Sequence, residues 1–306
     1  MDRPTLDNVS LITANFGHGR VFRDVLGDWT EFLGGRPEEV VVVDGGSDAE
    51  TQAQYLEAYR DGDIDKLQLI RPEHPDNSKE RCVVLEHACA MIARHDVLVW
   101  MKVDTLPFRR GHEGWFDEAR ALLDEPDVFA VSGSFNRDRR TGEYRPGWYT
   151  AEHVSINFAV MKRDRFIAAL EEYAGAYVSS GFTSDNPGRE HGTDRFVIES
   201  AFRAYVLKHG LKVLAKYESE DWSVFHTNVP GDRLPEVRER YRRREGVAKM
   251  VNARNFTTRF GGCYYGQPGG GRWHAWKCRF GRQRVAAWLR ERLGLAPVGP
   301  TSVLGK

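Results

Sequence analysis

Cysteine is scarce in this chain: four residues in 306, at positions 82, 89, 263 and 278. No pair has C-x-x-C spacing, which excludes the common zinc and dithiol redox motifs and leaves reduced, buried thiols as the expectation. Long apolar runs are missing as well. No stretch approaches the roughly 20 residues of a membrane span, and no signal peptide opens the chain, so cytoplasmic residence is expected. Neither G-x-G-x-x-G nor G-x-x-x-x-G-K-[ST] follows a predicted strand. The turns that grip phosphate in dinucleotide-binding and P-loop proteins are therefore lacking. Internal repeats and low-complexity segments do not occur.

Net charge is absent too, since 44 Lys and Arg balance 44 Asp and Glu. The balance conceals an asymmetry. Beyond Pro230, 17 basic residues face 5 acidic ones, a net +12, which leaves −12 on the first 230 residues. A basic tail suits anionic lipid, nucleic acid or a phosphorylated substrate, or it docks a solvated face on the acidic part. With 41% hydrophobic residues and this length, the chain has ample core for one large or two smaller domains. A catalytic domain over 1–230 with a basic, aromatic-containing extension over 231–306 packed on it is the expected division.

The most informative stretch is 96–107, an apolar run with a polar tip, Lys102-Val103-Asp104-Thr105. Such a run reads as a buried strand of a parallel sheet, with Pro107 ending its ladder for want of an N–H. Ligand crevices in open α/β sheets lie beyond the carboxyl ends of the strands, which puts Asp104 on the crevice floor. An acid there binds a cation, a ribose or a base edge, or caps its own turn. Upstream, 9–14 reads as a strand, 21–33 as an amphipathic helix, 39–44 as a strand with four consecutive valines, 67–70 as a short strand and 79–94 as a helix. This β-α-β-α-β-α-β order predicts a parallel sheet with right-handed crossovers. Asp44, at the second strand tip, then shares the crevice with Asp104, a pairing that suits a nucleotide. Asp44 would accept from a base imide or a ribose hydroxyl. Phe16, in the loop after the first strand, stacks on a base or packs within its loop.

Val9-Ser10-Leu11-Ile12-Thr13, then Val41-Val42-Val43-Asp44-Gly45-Gly46-Ser47-Asp48, then Lys102-Val103-Asp104-Thr105 resemble the opening motifs of family 2 glycosyltransferases, over roughly residues 9–228. The resemblance implies a GT-A type nucleotide-diphospho-sugar transferase fold, a mostly parallel central sheet with flanking helices, here followed by the basic helical C-terminal extension. It implies an inverting hexosyltransferase that takes its sugar from a nucleotide-sugar donor, with a UDP-sugar first in rank. Thr13, Asn15, Phe16, Asp44, Arg81, Lys102 and Asp104 are the implied donor-binding residues. Asp104 corresponds to the last acid of the D-x-D motif, which holds Mg²⁺ or Mn²⁺ against the donor diphosphate, and His226 resembles the late histidine that completes that metal site. A hard cation there stabilises the charge gained by the departing diphosphate. The pattern is broken at Lys102, which stands where the first acid of the motif belongs. Its ammonium either meets the diphosphate directly, leaving metal dependence open, or reaches solvent.

The remainder is less specific. Residues 113–123 read as a helix, 128–135 as a strand, and 136–150 as a polar loop in which Trp148 and Tyr149 form either an acceptor-facing aromatic platform or a packed hairpin. A strand over 154–161 and a helix over 163–173 follow. The polar segment 179–194 leads into a helix over 195–209 that stops at Gly210. By resemblance Asp194 is the general base, with Glu199 its rival and a helix cap the plain alternative. Strands at 213–217 and 222–228, a basic helix over 234–250, and cationic aromatic segments at 272–280 and 285–293 complete the chain. The tail lies on an anionic membrane at the inner face, lines a polyanionic groove, or packs on the catalytic domain. The acceptor (a glycan, a lipid-linked species or a small molecule) is open. A nucleotidyltransferase and a catalytically degenerate nucleotide-binding module are the competing functions.

Overall fold

The computed structural model describes residues 4–70, 82–133, 140–151, 154–155, 157–179, 198–227, 229–251 and 265–266. Arg81, Asp194 and the segments expected at 272–280 and 285–293 lie outside the described residues. The fold is mixed α/β: a nine-stranded sheet with helices on both faces and a separate two-stranded sheet. β1 (Thr5–Asn15), β2 (Arg36–Asp44), β3 (Lys66–Leu69) and β4 (Val97–Met101) are parallel, in the order β3-β2-β1-β4. β9 (Phe158–Lys162) runs antiparallel beside β4 and is followed by β6 (Val128–Ser132), β10 (Lys212–Lys216), β8 (Trp148–Ala151) and β7 (Arg140–Arg145). Seven of the nine strands point the same way, with β8 and β9 the exceptions.

The valine run of β2 suits its place inside the sheet, between β3 and β1. Val40 to Val43 are all fully buried, so both faces of the strand meet core. Helices α1 (Gly19–Leu33), α2 (Ala49–Arg60) and α4 (Trp115–Leu123) cover one face; α3 (Cys82–Ile92), α5 (Arg163–Ser179) and α6 (Ile198–His209) cover the other. On the first face Phe32 is ringed by Trp29, Trp115, Phe158 and Trp222, with centroids 4.6 to 5.9 Å away. Val229, Leu234, Val237, Tyr241 and Val247 belong to the same hydrophobic cluster, so the described residues beyond 230 share the core of the earlier ones. Arg238 and Arg242 of α7 (Leu234–Arg242) both pair with Asp28 of α1, joining the basic tail to the acidic part. Among the described residues no helix is long and apolar enough to cross a membrane.

Three local expectations are corrected, and one open choice is decided. The stretch 96–107 is two strands, because the chain turns at 102–104 and enters β5 (Thr105–Arg109). Pro107 therefore lies inside a strand, opposite Val224 of β11 (Trp222–His226); a two-stranded sheet consists of edges, where the missing N–H costs no ladder bond. Of the two readings of Trp148 and Tyr149 the packed hairpin holds, because β7 and β8 pair and both rings are buried. The helix expected over 234–250 breaks into α7 and α8 (Val247–Val251), where Arg244 and Gly246 take φ of 59° and 75°.

Glu39 shows how the amino ends of the strands are held. Its buried carboxylate pairs with Lys66 at 2.8 Å and accepts from Ser10 Oγ at 2.6 Å and Arg94 N at 2.9 Å. Burial pushes its carboxyl up, yet the Lys66 hydrogen bond, with Ser10 and Arg94, outweighs this and holds it below its ordinary value. Glu39→Ala is expected to cost about 2 kcal/mol in urea unfolding at pH 7, less than a fully buried pair because Lys66 reaches water. A lowered folded-state pKa gives stability that is present above the unfolded pKa and lost as pH falls. The gap between wild type and variant should therefore close below about pH 4.

Candidate active site

The order β3-β2-β1-β4 places a topological switch between β1 and β4: the chain leaves β1 to one side through β2 and β3, then crosses to the other side for β4. Crevices open at such points, beyond the carboxyl ends. The residues there are Asn15 and Phe16 after β1, and Lys102 to Asp104 after β4.

The turn after β4 is fixed through its backbone. Lys102 N donates to Asn157 O at 3.1 Å and Thr105 N to Lys102 O at 3.0 Å. Asp104 O accepts from both Thr227 N and Thr227 Oγ1 at 2.9 Å. β11 pairs with β5 so that His226 faces Thr105, which brings the imidazole to the preceding residue. His226 Nε2 lies 2.8 Å from Asp104 Oδ2, across 122 positions of sequence, with both side chains mostly buried. Burial pushes the Asp104 carboxyl up, but the His226 hydrogen bond and charge, helped by His18 and Lys102, hold it below the usual carboxylate range. Tyr265 N donates to His226 O at 2.8 Å, so a described residue of the tail braces the same strand end.

The first loop is built as carefully. Gly45 N donates to Asn15 O at 2.7 Å and Gly17 N to Ser47 Oγ at 2.8 Å, tying the ends of β1 and β2 together. The buried Asn15 amide donates to Tyr55 Oη, and its Oδ1 lies 3.2 Å from His18 Nδ1. An N–H at Nδ1 can donate to that oxygen, while His18 Nε2 is a buried atom with no hydrogen-bond partner among the described residues. Thr13 Oγ1 has the same status. Gly231 lies against this loop, where a Cβ would stand 2.3 Å from Gly17 O, so only glycine fits. Phe16 projects outward, 55% exposed.

Asp44 is spent on its own turn. Its carboxylate is fully buried and accepts from Gly46 N at 3.0 Å, Ser47 N at 2.9 Å, Gln52 Nε2 at 2.8 Å and Ser47 Oγ. These bonds give Asp44 a role in shaping the 44–47 loop. Lys102 does not simply reach solvent: its Nζ lies 2.8 Å from Glu86 Oε1 on α3. Glu86 is buried, and burial drives its carboxyl up against the opposing pull of Lys102, with the charge of Glu199 on α6 adding to the rise. The structure thus brings Lys102, Glu86 and Glu199 into one electrostatic group. Sequence reasoning missed Glu86, His18 and Tyr55, since nothing local distinguishes a helical Glu, a loop His or a core Tyr from hundreds like them.

Asp104 and His226 suit a divalent cation as two neighbouring ligands. Ligands at right angles on an ion with bonds of 2.0 to 2.1 Å stand about 3 Å apart, close to the spacing of this O and N. Among the described residues no group of three or more His, Cys, Asp and Glu is placed to hold a metal. The remaining positions would fall to phosphate oxygens and water.

No protein-family model and no curated protein matches the chain. Among solved structures it is similar to a mannosyltransferase from Pyrobaculum calidifontis in complex with GDP-Man and Mn²⁺, at 16% identity and TM-score 0.46, covering 97% of this chain and 78% of that one. It is also similar to GalNAc-T7 with UDP, GalNAc and Mn²⁺, at 12% identity and TM-score 0.48, covering 81% and 55%. A third is a UDP-glucose pyrophosphorylase complexed with UDP-glucose, at 12% identity and TM-score 0.43, covering 80% of this chain and 100% of that one.

Proposed function

We propose that this chain is an inverting glycosyltransferase of the GT-A type, related to family 2, which moves a sugar from a nucleotide-diphosphate donor to an acceptor hydroxyl. The observation that carries the reading is the Asp104–His226 pair at the switch between β1 and β4, facing a loop with an exposed aromatic ring. The base would lie on Phe16, in the loop that Asp44 shapes, with Thr13, Asn15 and Arg81 as further donor-binding residues. Asp104 and His226 would hold Mn²⁺ or Mg²⁺, and the ion, when bound, offsets charge on the leaving diphosphate. Asp194 or Glu199 takes the acceptor proton as the hydroxyl oxygen attacks the anomeric carbon opposite the breaking bond. The same reading divides the chain at about residue 230.

A thermal-shift panel of UDP, GDP and their sugars, with and without Mn²⁺, tests it. A ligand that binds only the folded state at about 100 times its Kd stabilises by roughly 2.7 kcal/mol. UDP-sugars are expected to give the largest shift; no shift from any member of the panel overturns the reading. Binding without hydrolysis or transfer would mark a nucleotide-binding module instead. Phe16→Ala is expected to leave the melting temperature unchanged, because the ring supports nothing in the core. It should weaken nucleotide binding by about 1 kcal/mol or more, the loss of one base–aromatic stack. Equal affinity in calorimetry would remove Phe16 from the donor site.

A further inference from the structure

Lys102 stands where the resemblance expects an acid, and the structure shows what holds it. The Lys102 ammonium and the Glu86 carboxylate form a pair at 2.8 Å, with the Glu86 side chain 1% exposed and the Lys102 side chain 23% exposed. Glu86 Oε2 is buried and has no hydrogen-bond partner among the described residues. A buried pair with one carboxylate oxygen unsatisfied is a poor stability device, since the desolvation of two charges is set against a single bond. An apolar pair of the same size would serve the core better. What the arrangement does achieve is a fixed charge. The Lys102 backbone is pinned by Asn157 and Thr105, its side chain by α3, and its charge is felt by Asp104 two residues on.

We propose that Glu86 is a positioning residue that tethers the Lys102 ammonium beside Asp104, so that a built-in cation of the protein supplies part of the diphosphate binding otherwise left to the metal. The inference rests on the transferase reading and deepens it. Exchanging an acid for a lysine at this place changes the local charge by two units in the direction that favours a phosphate anion. Lysine alone is a flexible point charge, and the carboxylate on α3 removes that freedom.

The test uses the full chain and isothermal calorimetry with UDP and GDP, and with uridine and guanosine as phosphate-free controls, in EDTA and in Mn²⁺. The wild type is expected to bind one diphosphate in EDTA roughly tenfold or more tighter than its nucleoside, the size of a charge-assisted bond. Glu86→Ala removes the tether without stranding a buried charge, because Lys102 can reach water. It should lose most of that advantage in EDTA, as should the neutral double variant Lys102→Gln/Glu86→Gln, while nucleoside affinity stays the same. Glu86→Gln keeps an acceptor for the ammonium and should retain the advantage. If Glu86→Ala and the double variant bind diphosphate in EDTA as the wild type does, or if nucleoside affinity falls in step, Glu86 only shapes the fold and the inference is overturned. A wild type that binds diphosphate only with Mn²⁺ also overturns it while leaving the transferase reading intact. A wild type that binds no nucleotide in either buffer overturns both.

Discussion

Asp104→Asn is expected to lower donor turnover by about 10²- to 10³-fold, the range for removing one group that meets charge developing in a transition state. The substitution is nearly isosteric. The carbonyl of residue 104 keeps both Thr227 bonds, and β5 and β11 keep their register, so the fold should survive. What goes is the negative charge that sits 2.8 Å from His226. Diphosphate affinity in Mn²⁺ should fall with it, while nucleoside affinity should not, because the base contact proposed for Phe16 is left intact. Donor hydrolysis and calorimetry on the same preparation separate the two effects. Undiminished turnover with Asn at 104 would remove this pair from the chemistry. The pair also carries a pH signature: because the folded-state pKa of Asp104 is lowered, its contribution to stability is present above the unfolded pKa and lost as pH falls through the folded one. The variant should lack that part of the acid dependence.

Phe32→Ala is expected to destabilise the chain by about 4 kcal/mol, as large-to-small changes of buried aromatics do. Phe32 is 1% exposed and its ring meets Trp29, Trp115, Phe158 and Trp222, which come from two helices and two strands. The surrounding rings are large and mutually packed, so they cannot collapse into the space. The backbone carbonyl of Phe32, which accepts from Trp115 Nε1 at 2.7 Å, is kept, so the loss is packing alone. Urea unfolding should show a lowered midpoint with an unchanged slope, and the melting temperature should drop by roughly 10 °C. A cost below 1 kcal/mol would mean that this cluster is not the structural centre of its face. The cluster is linked to the candidate site through Trp29, whose Nε1 donates to Thr105 O at 3.2 Å, one residue past Asp104.

Most strands and helices around the candidate site, and the acids at the strand tips, follow from local sequence. Valines in a row mean burial on both faces, an amphipathic period means a helix on the sheet, and an acid ending such a strand lies at the carboxyl edge; all three are local statements. Asp44 and Asp104 were legible in this way, with Asn15 and Phe16 in the loop after the first strand, as was the α/β class; Lys102 and His226 stood out only through the resemblance. What these residues touch follows from the assembled fold instead. The meeting of Asp104 with His226 depends on the register of β11 against β5 across 122 positions, and no local pattern encodes that register. The same holds for Glu86 beneath Lys102, for the four donors that occupy Asp44, and for the burial of Trp148 and Tyr149 in their hairpin. Pro107 is the plainest case: its missing N–H forbids a central strand but not an edge, and whether a strand is an edge is a property of the assembled sheet.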